Sequence, residues 1–162
     1  MGTAYFAGFF LGSIVFLPLS DYVGRKKLIL IGLALQIVTI LIIFFNHSIW
    51  YLFILCTLIG LRTPMASHNA FVLLVEISKP SWRPLLSMYI NGVDGGLFLI
   101  LALIYKIIQS WKPLFIAVAV VAFINLIFVA ILIPESPRYF LAKHKYREAR
   151  RVFRRIAIMS GK

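Results

Sequence analysis

The residues best suited to chemistry lie in a short charged turn between two long apolar runs, Ser20-Asp21-Tyr22-Val23-Gly24-Arg25-Lys26-Lys27. Gly24 permits a tight turn because it has no Cβ. Asp21 is placed to accept hydrogen bonds from backbone N–H groups at the start of the next helix and to complement its positive end. Arg25 is long enough to reach a carboxylate or the carbonyl end of another helix. The turn therefore predicts polar contacts beyond itself; the simpler alternative is that its basic residues only fix membrane topology.

Two further acid–base pairs follow, each at the end of an apolar run. Glu76 and Arg83 flank one such end, and Glu135 and Arg138 flank another. Charges at a half-wet boundary gain more from pairing than fully exposed pairs, which contribute about 0–1 kcal/mol. A network of such pairs can bias a two-state motion. The alternative is that each charged side chain only extends from its own helix to the membrane–water interface.

Polar residues inside the apolar runs form a second candidate group. An arginine at a helix centre costs roughly 2.5–3.5 kcal/mol, and one leucine recovers only about 0.3–0.6 kcal/mol. These side chains should therefore face a wet or protein-lined interior. The candidates for a substrate or proton pathway are Arg62, His68, Asn69, Asn91 and Asp94.

Asp94 is the acidic residue of that group. It lies in Gly92-Val93-Asp94-Gly95-Gly96, where a helix can loosen. We expect it to interact with a cation or a proton; a structural salt bridge to Arg62 is the alternative. Gln36, Thr39 and Asn125 are interpreted as helix-contact residues.

The elements that position these residues are membrane helices. The chain has 162 residues, of which 62% are hydrophobic, more than a soluble domain of this size can bury. A bilayer core needs about 20 apolar helical residues. The sequence predicts an all-α, polytopic bundle of five transmembrane helices over 1–133, with spans at about 3–19, 28–45, 49–77, 85–108 and 113–133. The segment 134–162 is predicted to be a cationic amphipathic helix on the inner membrane surface or against the ends of the bundle, with Ser136 as its cap.

Basic residues give the orientation. Three lie in the first turn, two in the loop at 78–84 and nine in the tail, so that 14 of the 17 basic residues fall on one side. Positive loops are retained in the cytosol. The C-terminus is therefore predicted to be cytosolic and the N-terminus external. An external N-terminus that opens directly into a span is expected if a preceding helix is missing, which favours a fragment.

Several functional classes are excluded. The basic residues form no aromatic-studded face, so a nucleic-acid partner is not expected. The chain has one cysteine, Cys56, no nucleotide-binding glycine loop and no metal-ligand cluster. We therefore predict no metal and no cofactor. Its three histidines, His47, His68 and His144, lie at different predicted depths, so an enzyme is not expected.

Four stretches, in order along the chain, resemble motifs of the major facilitator superfamily, in particular its organic-ion transporters and sugar porters. They are Gly8 and Gly12 followed by Leu19-Ser20-Asp21-x-x-Gly24-Arg25-Lys26; Gly60, then Glu76 with Arg83 seven residues later; Ala102-x-x-Tyr105 followed by Trp111-Lys112; and Pro134-Glu135-Ser136-Pro137-Arg138-Tyr139 followed by Glu148-Ala149 and Ile156-Ala157. The resemblance covers nearly the whole chain. It matches helices two to six of that family and the start of its central cytosolic loop.

Three positions depart from the family pattern. Leu17 stands where the loop motif usually begins with glycine, Cys56 stands where arginine is frequent, and Thr63-Pro64 replaces the usual glycine after Gly60. The first departure puts close packing against the other half of a transporter in doubt.

The resemblance implies a partial N-terminal half of a major facilitator fold that moves a small organic solute, an organic ion or a sugar-like molecule, by alternating access. It implies a cytosolic conformational-latch network made of Asp21, Gly24, Arg25, Lys26, Glu76, Arg83, Glu135 and Arg138. The implied partners are the solute, the lipid bilayer and the remaining half of the transporter. The alternative is a small membrane protein that binds a partner and transports nothing, because five spans alone form no two-half cavity.

Overall fold

The computed structural model describes residues 2–45, 49–78, 80–110 and 112–136, together with 139–140, 143, 146–147 and 150. In chain order the elements are α1 (Gly2–Val23), α2 (Arg25–Phe45), α3 (Ile49–Thr63), a π-helical turn (Pro64–His68), α4 (Asn69–Ile77), a 3-10 turn (Pro80–Trp82), α5 (Arg83–Ile108) and α6 (Lys112–Leu132). α3, the π turn and α4 form one continuous span. Within the described ranges, five helical spans are long and apolar enough to cross a membrane, which confirms the all-α class and the five predicted transmembrane helices.

Most of the predicted spans differ from the helices by a few residues at their ends. The largest difference is at the first turn, where α1 continues to Val23 and α2 begins at Arg25, so that the connection is reduced to Gly24. Asp21 fits in the last turn of α1 because it lies at the boundary of the bundle, where its side chain is 70% exposed. The tail helix predicted over 134–162 lies largely outside the described residues.

The tightest packing in the bundle joins α1 to α3 through glycine. A Cβ on Gly8 would overlap the carbonyl oxygen of Thr57, and one on Gly12 would overlap that of Leu61. A Cβ on Gly60 would overlap the carbonyl oxygen of Tyr5. Small residues let membrane helices approach to backbone contact, so these three glycines fix α1 against the third span.

A small apolar core lies where α2, α4 and α6 meet. Ile29, Leu73 and Val129 are buried there, and the rest of the outer surface is covered by exposed large apolar side chains such as Phe6 and Phe10. α5 packs loosely by comparison, since none of its apolar window is buried. An apolar exterior of this kind suits a lipid surround.

One end of the bundle gathers the charged residues. At this end α1 turns into α2, α4 stops at Ile77 and the chain leaves α6 after Leu132. We call it the charged end. Because α1, α4 and α6 all finish there, segments far apart in sequence are brought together.

Candidate functional site

Gly24 allows the charged end to be compact. Its φ of +106° lies in a region that side-chain-bearing residues rarely adopt. Its N–H donates to the Ser20 carbonyl at 3.1 Å, and its own carbonyl accepts from the Leu28 N–H at 3.3 Å. A Cβ on Gly24 would lie 2.8 Å from Oε2 of Glu135. The backbone conformation therefore requires glycine, and an added Cβ would also displace the Glu135 carboxylate.

Arg25 joins two elements at the charged end. Its Nη2 lies 3.2 Å from Oδ1 of Asp21, one helical turn earlier. Its Nη1 lies 3.0 Å from Oε1 of Glu76, at the end of α4. The side chain of Asp21 is 70% exposed, whereas that of Glu76 is 5% exposed. The Arg25–Glu76 ion pair is therefore the drier and more consequential of the two.

Glu135 also contacts the start of α2. Its Oε1 accepts hydrogen bonds from the backbone N–H of Lys26 at 2.9 Å and from that of Ser136 at 3.2 Å. A carboxylate at a helix N-terminus satisfies an unpaired donor and complements the helix dipole. We predicted that Asp21 would make this contact; in the structure Glu135 makes it, because the carboxylate of Asp21 is directed to Arg25.

Ser136 and Lys26 complete the described part of the network. The Ser136 hydroxyl, which is fully buried, donates to Oε2 of Glu76 at 2.5 Å. The Lys26 Nζ donates to the carbonyl of Ala130 in the last turn of α6 at 2.8 Å, where a cation is favoured. The sequence interpretation identified Ser136 only as a helix cap and so missed its contact with Glu76. No local pattern predicts a partner that lies 60 residues away.

Six of the eight latch residues predicted from the resemblance meet at the charged end: Asp21, Gly24, Arg25, Lys26, Glu76 and Glu135. Arg83 begins α5, and its Nε is buried without a hydrogen-bond partner among the described residues. Arg138 lies outside the described residues.

The intramembrane candidates whose side chains the structure describes make separate contacts. Arg62 Nη1 donates to Oε1 of Gln36 at 3.0 Å, which links α3 to α2. The His68 side chain is exposed, and its ring centroid lies 5.8 Å from that of Phe9. Asn69 is 1% exposed and bonds to backbone carbonyls of its own span.

The two α5 candidates are placed differently again. Asn91 is exposed and donates to the Ser87 carbonyl at 2.9 Å within its own helix. Asp94 lies within α5, and its side chain is outside the described part of the structure. Pathway roles for these five residues stay predictions. The contact between Gln36 and Arg62 agrees with the interpretation of Gln36 as a helix-contact residue.

Comparison with known proteins bears on the whole chain. The family model described as "Sugar (and other) transporter" matches residues 2–161. Organic cation/carnitine transporter 4 of Arabidopsis thaliana is 30% identical over 159 residues, which are 98% of this chain and 30% of that protein. Human organic cation/carnitine transporter 2 is 28% identical over an alignment of 165 positions, which covers 97% of this chain and 28% of that protein.

A sugar-related protein is also similar. Monosaccharide-sensing protein 3 of Arabidopsis thaliana is 24% identical over 144 residues, 86% of this chain and 20% of that protein. The chain thus spans less than a third of the length of these relatives. With a transporter-family match from end to end and five membrane-spanning helices, the chain is a multi-pass integral membrane protein and belongs to the sugar (and other) transporter family of the major facilitator superfamily.

Proposed function

We propose that this chain forms part of a secondary transporter that moves a small organic solute by alternating access, and that its charged end acts as a conformational latch. The observation that carries the proposal is the Arg25–Glu76 ion pair, 3.0 Å long and largely removed from water. It ties the α1–α2 turn to the end of α4, while Glu135 ties the start of α2 to the segment after α6. Such polar contacts break and re-form between two discrete arrangements more readily than an apolar core does.

The solute class follows from the relatives. Their names specify organic cations, carnitine and monosaccharides, so an organic ion or a sugar-like molecule is the proposed cargo. Binding sites of secondary transporters lie near mid-membrane between two structural halves. We place Arg62, His68, Asn69, Asn91 and Asp94 on the proposed pathway and assign the second half to a further part of the transporter.

The latch is assigned to the cytosolic side. Arg25, Lys26 and Lys27 all lie at the charged end, and positive residues favour the cytosolic face. In a variant with Cys56→Ser, a cysteine at Lys27 should resist an impermeant maleimide applied to intact cells. Gln109 follows α5 at the end of the bundle away from the charged end, so a cysteine there should react with the maleimide. The reverse pattern contradicts the orientation.

The transport test uses a chimera. This chain replaces the matching segment of the Arabidopsis organic cation/carnitine transporter 4, and uptake of labelled tetraethylammonium, carnitine and glucose is measured. Arg25→Met should abolish most uptake, whereas Lys27→Met, which removes the same charge from an exposed neighbour, should leave it nearly unchanged. Equal effects contradict the latch. A chimera that reaches the membrane folded and transports none of the three probes favours the non-transporting alternative.

A further inference from the structure

The third span is interrupted at its middle by the π turn Pro64–His68. Pro64 has no N–H to donate and its ring crowds the preceding turn, which favours a local opening of the helix. A π turn in an α-helix accommodates one extra residue and is frequently found at functional sites. Such a turn leaves backbone carbonyls in need of other donors.

Asn69 supplies those donors. Its side-chain Nδ2 donates to the Met65 carbonyl at 3.1 Å and to the Pro64 carbonyl at 3.4 Å. Its backbone N–H donates to the Ala66 carbonyl. One residue, 1% exposed, thus donates to three consecutive carbonyls. No water is present in a bilayer core to replace these bonds.

The turn is also braced from outside. A Cβ on Gly32 of α2 would lie 3.1 Å from atoms of Ala66 and 3.2 Å from Met65. Pro64, Met65 and Ala66 are buried. The bulge is therefore packed into the bundle rather than left at its surface.

The bulge determines where Glu76 points. Each α-helical residue turns by about 100° and rises about 1.5 Å. Because the π turn holds one extra residue, every residue of α4 is set back by about one position relative to an uninterrupted helix. Without the bulge, Val75 would face Arg25, and Glu76 would be turned away by about 100°.

We propose that Asn69 is a positioning residue. By holding the π turn open, it presents Glu76 to Arg25 and Ser136, seven residues further along the span. This structural link stands without any transport, whereas its meaning for gating rests on the function proposed above.

The test measures the coupling between Arg25 and Glu76 in the full chain in detergent. Arg25→Met, Glu76→Gln and the double variant are compared by thermal unfolding, and the coupling is the departure from additivity. It should be present in the natural chain and absent with Asn69→Leu, which keeps the branched shape and the number of heavy atoms and removes the donors. It should survive with Asn69→Ser, because serine can donate to the carbonyl four residues earlier.

Two further backgrounds separate register from general damage. Deleting the exposed Ser67 together with Asn69→Leu removes the extra residue, so Glu76 returns to register and the coupling should return. Thr39→Val is the matched control, because Thr39 is 4% exposed and its hydroxyl donates to the Leu35 carbonyl in a regular helix. The coupling should be unchanged there.

Coupling that persists in Asn69→Leu overturns the proposal. If Asn69→Leu gives no folded protein, the variant that combines Asn69→Leu with deletion of Ser67 is decisive. Restored folding with coupling supports the proposal, and a failure to restore the coupling overturns the proposal. In the chimera, loss of coupling with normal uptake would keep Asn69 as a positioning residue and remove the latch from transport. If the latch acts in transport, Arg25→Met and Asn69→Leu should lower uptake by the chimera by a similar factor.

Discussion

Replacing Gly24 with alanine tests the construction of the charged end most directly. Two costs are expected. A side-chain-bearing residue is held at φ +106°, and the new Cβ is placed 2.8 Å from the Glu135 carboxylate. The carboxylate has to move, and its bond to the Lys26 N–H, 2.9 Å long, is then lost or stretched.

The magnitude follows from these two terms. A left-handed backbone conformation costs a non-glycine residue about 1–2 kcal/mol, and a hydrogen bond to a charged group contributes about 1.5–3 kcal/mol. Together they predict a loss of about 2.5–5 kcal/mol. That is a large part of the roughly 5–15 kcal/mol by which folded proteins are stable.

The assay is unfolding of the purified chain in detergent, with Gly95→Ala as the matched control. Gly95 lies inside α5 with nothing within 4 Å of an added Cβ, so alanine there should be neutral or stabilise by up to about 1 kcal/mol. Repeating Gly24→Ala in a Glu135→Ala background isolates the backbone term, and the penalty should fall to about 1–2 kcal/mol.

Two results would refute this reasoning. If Gly24→Ala is as stable as Gly95→Ala, the turn does not need glycine. If the penalty is the same with and without the Glu135 carboxylate, the crowding argument is wrong and only the backbone conformation matters.

Three further predictions concern neighbouring contacts. Gly60→Leu should separate α1 from α3 and cost about 1–3 kcal/mol or more, because its side chain would overlap the Tyr5 carbonyl. Size-exclusion chromatography and unfolding should detect the change. The control Gly92→Leu, with open space around it, should cause no such loss of stability. Ser136→Ala should cost about 1.5–3 kcal/mol in thermal unfolding, since Glu76 loses a buried donor, and an unchanged midpoint contradicts that. Asp21→Asn should change stability by less than about 1 kcal/mol, because the Asp21 side chain is 70% exposed. Glu76→Gln should cost about 3–5 kcal/mol. Similar values for both variants would show that burial does not distinguish the Asp21–Arg25 pair from the Arg25–Glu76 pair.

The helices were predictable from the sequence because apolar runs of sufficient length have few alternatives in a bilayer. The i,i+4 spacing of Asp21 and Arg25 also fits the ion pair that forms on the helix surface. The contact between Glu135 and Lys26 was not predictable from spacing, because the two residues are 109 positions apart. Only the resemblance placed them in one network.

Local patterns misdirected one interpretation and left one residue's role unforeseen. Asp21 was expected to cap α2 because it lies just before that helix, yet α1 extends through it and turns its carboxylate toward Arg25. Asn69 was expected to face a protein-lined interior, and it is buried. Its role in the π turn was not foreseen, although Pro64, five residues earlier, was a visible signal for a break.

The arrangement around Glu76 gives a physical reason for the proposed latch to open as one unit. Arg25 from α2 and Ser136 from beyond α6 both contact one carboxylate that is 5% exposed. Separating either neighbour leaves a charge with fewer partners in a dry site, which is strongly unfavourable until water enters. Water that reaches Glu76 weakens the other contact as well. The start of α2, the end of α4 and the segment after α6 are therefore expected to part together rather than one by one, as the proposed two-state gate requires.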